Sequence, residues 1–186
     1  MVSICGATLV NIGTLSQRWI EAMMKAAKKA DAIGKCWVLD PVGAGATPLR
    51  MNTCKELLKY HPTVIRGNAS EIIALAGLWG IANGSRGVDS TDSSSAAINA
   101  GKALAKEYHC VVGITGEVDY VTDGDRVIES GSIGVLLRIV HNGVEMCTLI
   151  TAAGCSLTSI ICAFLAIGIP PMEATAFVSA GRMIDD

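Results

Sequence analysis

The sequence predicts an α/β fold: a mainly parallel sheet with helices on both faces and antiparallel edge strands near the C-terminal half. Short apolar runs alternate with segments whose apolar residues recur at helical spacing, and this alternation is typical of a parallel sheet covered by helices. Later in the chain, Asp123-Gly124 and Asn142-Gly143 are dipeptides that favour hairpin turns. The second half of the sheet is therefore expected to be antiparallel.

The first half of the chain predicts three strand and helix pairs. The predicted strands cover residues 7–12, 36–39 and 63–65. The first helix begins at Ser16, is stopped by Gly34 and places its apolar residues on one face. Those residues are Trp19, Ile20, Met23, Met24, Ala27 and Ala30. The next two helices are expected over residues 53–60, where Pro62 breaks the pattern, and 69–76.

The second half begins with residues 77–95, which are rich in Gly, Ser, Asp and Asn and predict a surface loop. A helix to about residue 107, a strand at 110–114 and further strands between 120 and 150 follow. Two helices, at 155–166 and 172–183, end the series. The chain has 186 residues, 51% of them hydrophobic, so residues 1–186 are expected to form a single domain.

Composition excludes several classes of function. Fifteen Lys and Arg against seventeen Asp and Glu leave a net charge of -2, and no basic cluster for nucleic acid or a membrane surface is present. Seven cysteines without a C-x-x-C pair predict buried thiols in a reducing compartment. The first residues lack a signal-peptide pattern, and the longest apolar stretch, 160–169, is too short to span a bilayer. A cytoplasmic location is the expectation.

A turn of small residues, Ala152-Ala153-Gly154-Cys155, lies between an apolar strand-like run and an apolar helical segment. Small side chains at such a turn let backbone N–H groups converge on a phosphate, and the helix dipole points to the same place. Cys155 would lie where this field is strongest. A tight strand-to-helix turn also needs small residues for steric reasons alone, so the motif by itself leaves both interpretations open.

Polar residues also follow the other predicted strands. They are Asn11 at the end of the first strand, Asp40 after the second, Arg66, Asn68 and Glu71 after the third, and Thr115 after the fourth. Because ligands of doubly wound sheets bind beyond the carboxyl ends of the strands, these side chains are expected to meet at one edge of the sheet.

Each of these residues has a structural alternative. Asn68 and Glu71 have the spacing of a capping box. Asp40 before Pro41 could initiate a turn, and Arg66 could form a surface ion pair. Cys155 could belong to the core with Cys162, which lies seven residues further on about the same helix face, and this spacing favours a core position for Cys162 more than for Cys155.

Five segments together resemble the successive signatures of the hydroxyethylthiazole kinase family, in the same order. They are residues 11–15 (NIGTL), 39–48 (LDPVGAGATP), 64–72 (VIRGNASEI), 114–119 (ITGEVD) and 153–155 (AGC). The resemblance extends from about residue 7 to about residue 176. It implies a ribokinase-like fold and ATP-dependent phosphorylation of 4-methyl-5-(2-hydroxyethyl)thiazole in thiamine synthesis or salvage.

The resemblance also implies roles for individual residues. Arg66 and Thr115 would contact ATP, and the turn of Ala152, Ala153 and Gly154 would receive the substrate hydroxyl and the transferring phosphoryl group. The set that would hold Mg²⁺, directly or through water, is Asp40, Asn68 and Glu71. Cys155 stands where other ribokinase-like enzymes place an aspartate base. A thiol at a helix N-terminus is shifted toward the thiolate, so Cys155 is expected to help accept the hydroxyl proton without being indispensable.

The chain departs from the family pattern in three places. Ala152 replaces the usual glycine, and its methyl group disfavours a positive φ. Residues 129–139 resemble an inserted loop. The family's first strand-and-helix section and its closing helices have no counterpart here, so we expect a chain truncated at both ends. Family active sites lie between the subunits of a trimer, which implies a homotrimer where those segments are supplied.

Two other functions stay open at the level of sequence. One is a ribokinase-like dehydratase that repairs hydrated nicotinamide cofactors with ATP or ADP, although an aspartate rather than Cys155 would be expected there. The other is a catalytically impaired fragment that acts as a binding module, which Ala152 and the missing N-terminal section favour.

Overall fold

A computed structural model describes residues 1–78, 80, 93–116, 118–129 and 152–181 of the chain. The strands are β1 (Thr8–Asn11), β2 (Trp37–Asp40), β3 (Val64–Asn68), β4 (Val111–Thr115), β5 (Tyr120–Thr122) and β6 (Val127–Glu129). The helices are α1 (Gln17–Ala32), α2 (Pro48–Leu58), α3 (Ala69–Gly77), α4 (Ser93–Tyr108), α5 (Ala153–Ala166) and α6 (Pro171–Gly181).

The six strands form one sheet in the order β1-β2-β3-β4-β5-β6. The first four are parallel, and β5 and β6 are antiparallel to their neighbours. This confirms the predicted class and the hairpin at Asp123-Gly124, where Gly124 has φ +99°. The hairpin predicted at Asn142-Gly143, the insertion predicted beyond Glu129 and most of the predicted loop at 77–95 lie outside the described residues.

Helix boundaries follow the capping residues. The side chain of Ser16 caps α1 by accepting from the N–H of Trp19, and Gly34 ends the turn after the helix with φ +63°. Helix α2 begins at Pro48, five residues before the predicted start at 53. Thr47 accepts from the N–H of Arg50 as N-cap, and Pro48 occupies the first helical position, where its missing N–H costs nothing.

Apolar side chains fill both faces of the sheet, because successive residues of a strand point to opposite sides. On one face, Trp37, Leu39 and Ile65 pack against α1, α2, α3 and α4. On the other, Val38 and Val64 pack against α5 and α6. Helical spacing predicts Trp19 on the buried face of α1, but Trp19 is 60% exposed, because Met23, Ala27 and Ala30 make the contact with the sheet.

The described cysteines, Cys5, Cys36, Cys54, Cys110, Cys155 and Cys162, are all free thiols. Burial raises the pKa of both Cys54 and Cys110 to about 12, which makes them poor nucleophiles near neutral pH. Cys36 and Cys110 immediately precede β2 and β4 rather than lying inside them. In the described part of the chain, every helix is too short or too polar to cross a membrane.

Candidate active site

Three polar side chains lie on the same face of the sheet near the carboxyl ends of its strands. Asp40 ends β2, Thr115 ends β4, and Arg66 is in β3. Each is an even number of residues away from an apolar residue of its own strand that packs against α5 and α6. Because every second residue of a strand points to the same face of the sheet, all three side chains lie beneath those helices. All three are buried, which is unusual for Asp and Arg and indicates that each has partners.

Arg66 joins the strands to the start of α5. Its Nη2 donates to Oγ1 of Thr115 at 2.6 Å, and the Thr115 hydroxyl lies 3.4 Å from the carbonyl oxygen of Gly67. A Cβ built on Gly154 would lie 2.6 Å from Nη1 of Arg66. The guanidinium therefore lies directly against the backbone of Gly154, and a side chain at that position would displace it. The surface ion pair considered for Arg66 does not apply, because only 7% of the residue is exposed.

Asp40 is held by residues from β1 and α5. Its Oδ2 accepts from Nδ2 of Asn11 at 2.7 Å and from Oγ1 of Thr158 at 3.0 Å. Burial raises the pKa of Asp40 above its usual value, and the negative charge of Glu71 adds to that rise. The hydrogen bond from Thr158, the charge of Arg66 and the hydrogen bond from Asn11 offset it in part.

Glu71 joins the loops that follow β2 and β3. Its Oε2 accepts from the N–H of Asn68 at 2.8 Å, while Oδ1 of Asn68 accepts from the N–H of Glu71 at 2.9 Å, so the predicted capping box is confirmed. The other oxygen, Oε1, accepts from the N–H of Gly43 at 2.8 Å. The cap and the site therefore share one carboxylate.

Helix α5 begins at the turn of small residues. Its N-cap, Ala152, has φ +68° and ψ +14° and makes no side-chain capping bond. The backbone at this position is therefore strained, as expected where alanine replaces glycine, because an alanine occupies the left-handed region. The first N–H groups of a helix have no carbonyl partner within it, so residues 153–155 present backbone donors at the end where Arg66 lies. Cys155, half-buried, follows Gly154 in this first turn.

Three contributors to this arrangement were not among the predicted site residues: Asn11, Arg50 and Thr158. Oδ1 of Asn11 accepts from the N–H of Gly13 at 2.8 Å, which orients the amide that donates to Asp40. Thr158 lies one helical turn after Gly154, and its hydroxyl is also 3.1 Å from the carbonyl oxygen of Gly154. The sequence places Asn11 at the end of a predicted strand without assigning it a role, and Thr158 carries no sequence signal beyond its helical spacing.

The predicted residues thus lie close together, but they have different structural roles. Asp40, Arg66, Glu71, Thr115 and Gly154 form one contiguous set, and Cys155 adjoins it through Gly154. Asn68 is exposed, and its side-chain oxygen accepts from Ser70 and Glu71, so its observed part is in the cap. A buried cation and a helix N-terminus around one point can neutralise a transferring phosphoryl group, and the two carboxylates beside them can hold a divalent cation.

The donor set can be tested against a divalent cation. Asp40 and Glu71 supply the hard oxygens that Mg²⁺ prefers, yet both oxygens of Glu71 already accept backbone hydrogen bonds. Within the described ranges, no group of three or more His, Cys, Asp or Glu side chains could enclose a metal ion. These residues therefore fit a Mg²⁺ ion that keeps several waters and binds substrate phosphates, and they do not fit an all-protein cage.

The chain is similar to known proteins over most of its length. The model of the Hydroxyethylthiazole kinase family matches residues 1–182. A hydroxyethylthiazole kinase of Escherichia coli strain SMS-3-5 is 43% identical over 175 residues, which are 94% of this chain and 62% of that protein. One from Shigella flexneri serotype 5b is 44% identical over 174 residues, again 62% of its length. The chain thus spans less than two thirds of the curated relatives that it matches.

Solved structures agree with the fold. The hydroxyethylthiazole kinase protein of Pyrococcus horikoshii OT3 matches with a TM-score of 0.79 and 35% identity, over 96% of this chain and 61% of that one. A pyridoxal kinase of Bacillus subtilis matches with a TM-score of 0.62 at 21% identity, over 94% of this chain and 60% of that one, which supports the ribokinase-like fold alone. With the family model matching nearly the whole length, the chain belongs to the hydroxyethylthiazole kinase family.

Proposed function

We propose that this chain carries the site for ATP-dependent phosphorylation of the hydroxyl group of 4-methyl-5-(2-hydroxyethyl)thiazole, a step of thiamine synthesis or salvage. The observation that carries the proposal is the position of the Arg66 guanidinium, bonded to Thr115 and in contact with Gly154 at the start of α5. A buried cation beside free helix N–H groups suits the dispersed negative charge of a transferring phosphoryl group.

Each part of the site then has a separate task. Arg66 and Thr115 contact the phosphates of ATP, and the backbone N–H groups of Ala153, Gly154 and Cys155 hold the phosphoryl group in line between donor and acceptor oxygens. The turn that begins at Ala152 receives the substrate hydroxyl. Because the transition state is loose, positioning and charge neutralisation supply most of the rate enhancement.

Mg²⁺, when bound, would neutralise phosphate oxygens of ATP. Asp40 and Glu71 would hold it through coordinated waters, and Asn68 would contribute by fixing Glu71 through the capping box. Burial raises the pKa of Asp40, and the hydrogen bond from Thr158, the charge of Arg66 and the hydrogen bond from Asn11 partly offset that rise in favour of the ionised carboxylate, which is the form that attracts a cation.

Cys155 takes the role of proton acceptor. The oxygen of the substrate hydroxyl forms a bond with the γ-phosphorus while the bond from that phosphorus to the β,γ-bridging oxygen breaks and ADP leaves. The hydroxyl proton passes to the thiolate of Cys155, which becomes a thiol. Since a strong base is not essential in a loose transition state, we expect replacement of Cys155 to slow turnover without abolishing it.

The proposal extends to the assembly. We propose a homotrimer as the active unit, with each site close to a subunit boundary. Large apolar side chains near the starts of α1 and α2, Trp19 and Leu49, are 60% and 54% exposed and lie in helices that follow strands bordering the site. Such exposed apolar groups favour a protein contact. A molar mass of one chain by light scattering would reject the trimer.

The test is an assay of phosphoryl transfer by the purified protein with ATP, Mg²⁺ and the thiazole alcohol, in which the phosphorylated product is identified by mass spectrometry. Product formation that is lost in Arg66→Gln supports the proposal, and Cys155→Ser and Cys155→Asp measure the contribution of the base. Calorimetric binding of ATP with no product under any condition would favour the binding-module interpretation. ATP-dependent conversion of hydrated NADH, without transfer to the alcohol, would identify the dehydratase instead.

A further inference from the structure

The side chain of Arg50, in the first turn of α2, bonds to the backbone of two separate loops. Its Nη1 donates to the carbonyl oxygens of Ile12 at 2.9 Å and Val42 at 2.6 Å, and its Nη2 donates to that of Gly13 at 3.2 Å. Residues 12–13 follow β1, and Val42 follows β2. One guanidinium therefore joins the two loops that leave neighbouring strands at the edge of the site.

Both loops lead directly to the two carboxylates. Beside Val42, the N–H of Gly43 donates to Oε1 of Glu71. Beside Gly13, the amide of Asn11 accepts from the Gly13 N–H and donates to Asp40. A change in either loop would therefore alter a hydrogen bond on Asp40 or Glu71.

The side chain of Arg50 packs closely against the backbone of Gly43. It has φ +69°, and a Cβ on it would lie 3.3 Å from Cδ and Nε of Arg50. In the described part of the chain, no ion pair to a carboxylate engages the guanidinium, and its hydrogen bonds go to backbone carbonyl oxygens. A planar guanidinium can reach two loops at once, whereas the ammonium group of lysine offers a single nitrogen.

We infer that Arg50 is a positioning residue for the phosphoryl-transfer site: it fixes the loops after β1 and β2, and through Asn11 and Gly43 it fixes the carboxylates of Asp40 and Glu71. Only the kinetic consequence of this inference rests on the proposed function. The structural consequence, that Arg50 restrains the Gly13 and Gly43 amides, holds whatever reaction the site performs.

The first test is amide hydrogen exchange measured by NMR without substrate, in the wild type and in Arg50→Gln and Arg50→Lys. Both variants are expected to speed exchange at Gly13 and Gly43 by about tenfold or more, while the amides of β4 stay within about twofold of the wild type. Arg126→Gln is the control, because Arg126 is exposed, lies beyond β5 and contacts only Asp123 among its described ion pairs. The control should leave both glycine amides unchanged.

The second test is kinetic. A misplaced carboxylate should lower kcat by about 10- to 100-fold in both Arg50 variants, while the Kd for ATP measured without Mg²⁺ stays within about threefold. A wild-type protein that never phosphorylates the alcohol would refute the proposed function, yet the exchange rates would still decide the role of Arg50. Unchanged exchange at Gly13 and Gly43, wild-type behaviour of Arg50→Lys, or equally faster exchange throughout β4 would each overturn the inference.

Discussion

The hydroxyl of Thr158 donates to Oδ2 of Asp40 at 3.0 Å, although 118 residues separate them in the chain. The contact joins the second turn of α5, one turn beyond the proposed phosphate donors, to the carboxyl end of β2. The same hydroxyl is 3.1 Å from the carbonyl oxygen of Gly154. The spacing between the anion site and the carboxylate therefore depends on one buried side chain.

Replacing Thr158 with Val should test this link, because valine keeps the shape and removes the donor. A hydrogen bond to a charged group contributes about 1.5 to 3 kcal/mol, so the free energy of unfolding at pH 8 should fall by about that amount. We expect kcat to fall about tenfold as well, since about 1.4 kcal/mol of lost positioning is sufficient. Urea unfolding and steady-state kinetics measure both. Thr158→Ser, which keeps the hydroxyl, should retain most of the activity, and equal losses in both variants would contradict this role.

Ala152→Gly should stabilise the protein. Alanine at φ +68° costs about 1 to 2 kcal/mol, whereas glycine adopts this conformation freely. The greater freedom of glycine in the unfolded chain offsets about 0.4 to 1 kcal/mol of that gain. The net increase in the free energy of unfolding should be about 0.5 to 1 kcal/mol by urea denaturation. The neighbouring change Ala153→Gly, at a helical position, should instead destabilise, and the same sign for both variants would argue against this explanation.

Gly154→Ala should disrupt the site, because the added methyl group would lie 2.6 Å from Nη1 of Arg66. The guanidinium must move, so ATP affinity by calorimetry should fall by about tenfold or more, as expected for loss of a charge-assisted contact. Gly77→Ala is the control, since a Cβ there would meet nothing within 4 Å. Normal ATP binding by Gly154→Ala would show that Arg66 does not contact the nucleotide.

Cysteine labelling should separate the thiols by burial. With a pKa of about 12, only about one in ten thousand molecules has Cys54 or Cys110 as thiolate at pH 8. The half-buried Cys155 should therefore react with iodoacetamide at least about tenfold faster than either, as measured by peptide mass spectrometry. ATP with Mg²⁺ should protect Cys155 but leave the half-buried Cys36 unaffected. Equal labelling of Cys155 with and without nucleotide would place the bound phosphates away from α5.

The pH dependence of stability should reveal the buried carboxyl group. Because the pKa of Asp40 is raised above 3.8 in the folded state, the folded protein binds that proton more tightly than the unfolded chain. The contribution of this group to the free energy of unfolding is fully present below pH 3.8 and is lost as pH rises through the folded-state pKa. Urea unfolding from pH 3.5 to pH 8 should therefore show the stability of Asp40→Asn increasing relative to the wild type as pH rises.

Asp123→Asn should change the pH dependence of stability in the opposite direction. Hydrogen bonds led by the Arg126 N–H hold the pKa of Asp123 below its usual value. Its contribution is present above pH 3.8 and is lost as pH falls through the folded-state pKa. Relative to the wild type, this variant should therefore become less stable as pH rises. Slopes of the same sign in the two Asp variants would refute the burial argument for Asp40.

Much of the architecture could be predicted from neighbouring residues alone. The alternation of short apolar runs with segments of helical spacing predicted the α/β class, and Asp123-Gly124 predicted the hairpin. The spacing of Asn68 and Glu71 predicted the capping box. These features depend on side chains a few positions apart, so the local sequence contains the necessary information. The apolar pattern predicts α2 only from residue 53, although the signal for its true start, Thr47-Pro48, is also local.

The candidate site could be predicted only as a set of strand ends. That Asp40, Arg66 and Thr115 share an edge follows from parallel topology, but their partners do not. Thr158 reaches Asp40, and Gly154 meets Arg66, only after α5 packs on the second face of the sheet. The raised pKa of Asp40 depends on the same packing, because desolvation is a property of the assembled core. Periodicity and caps act over a few residues, whereas burial and contacts between distant segments arise only when the helices close over the sheet.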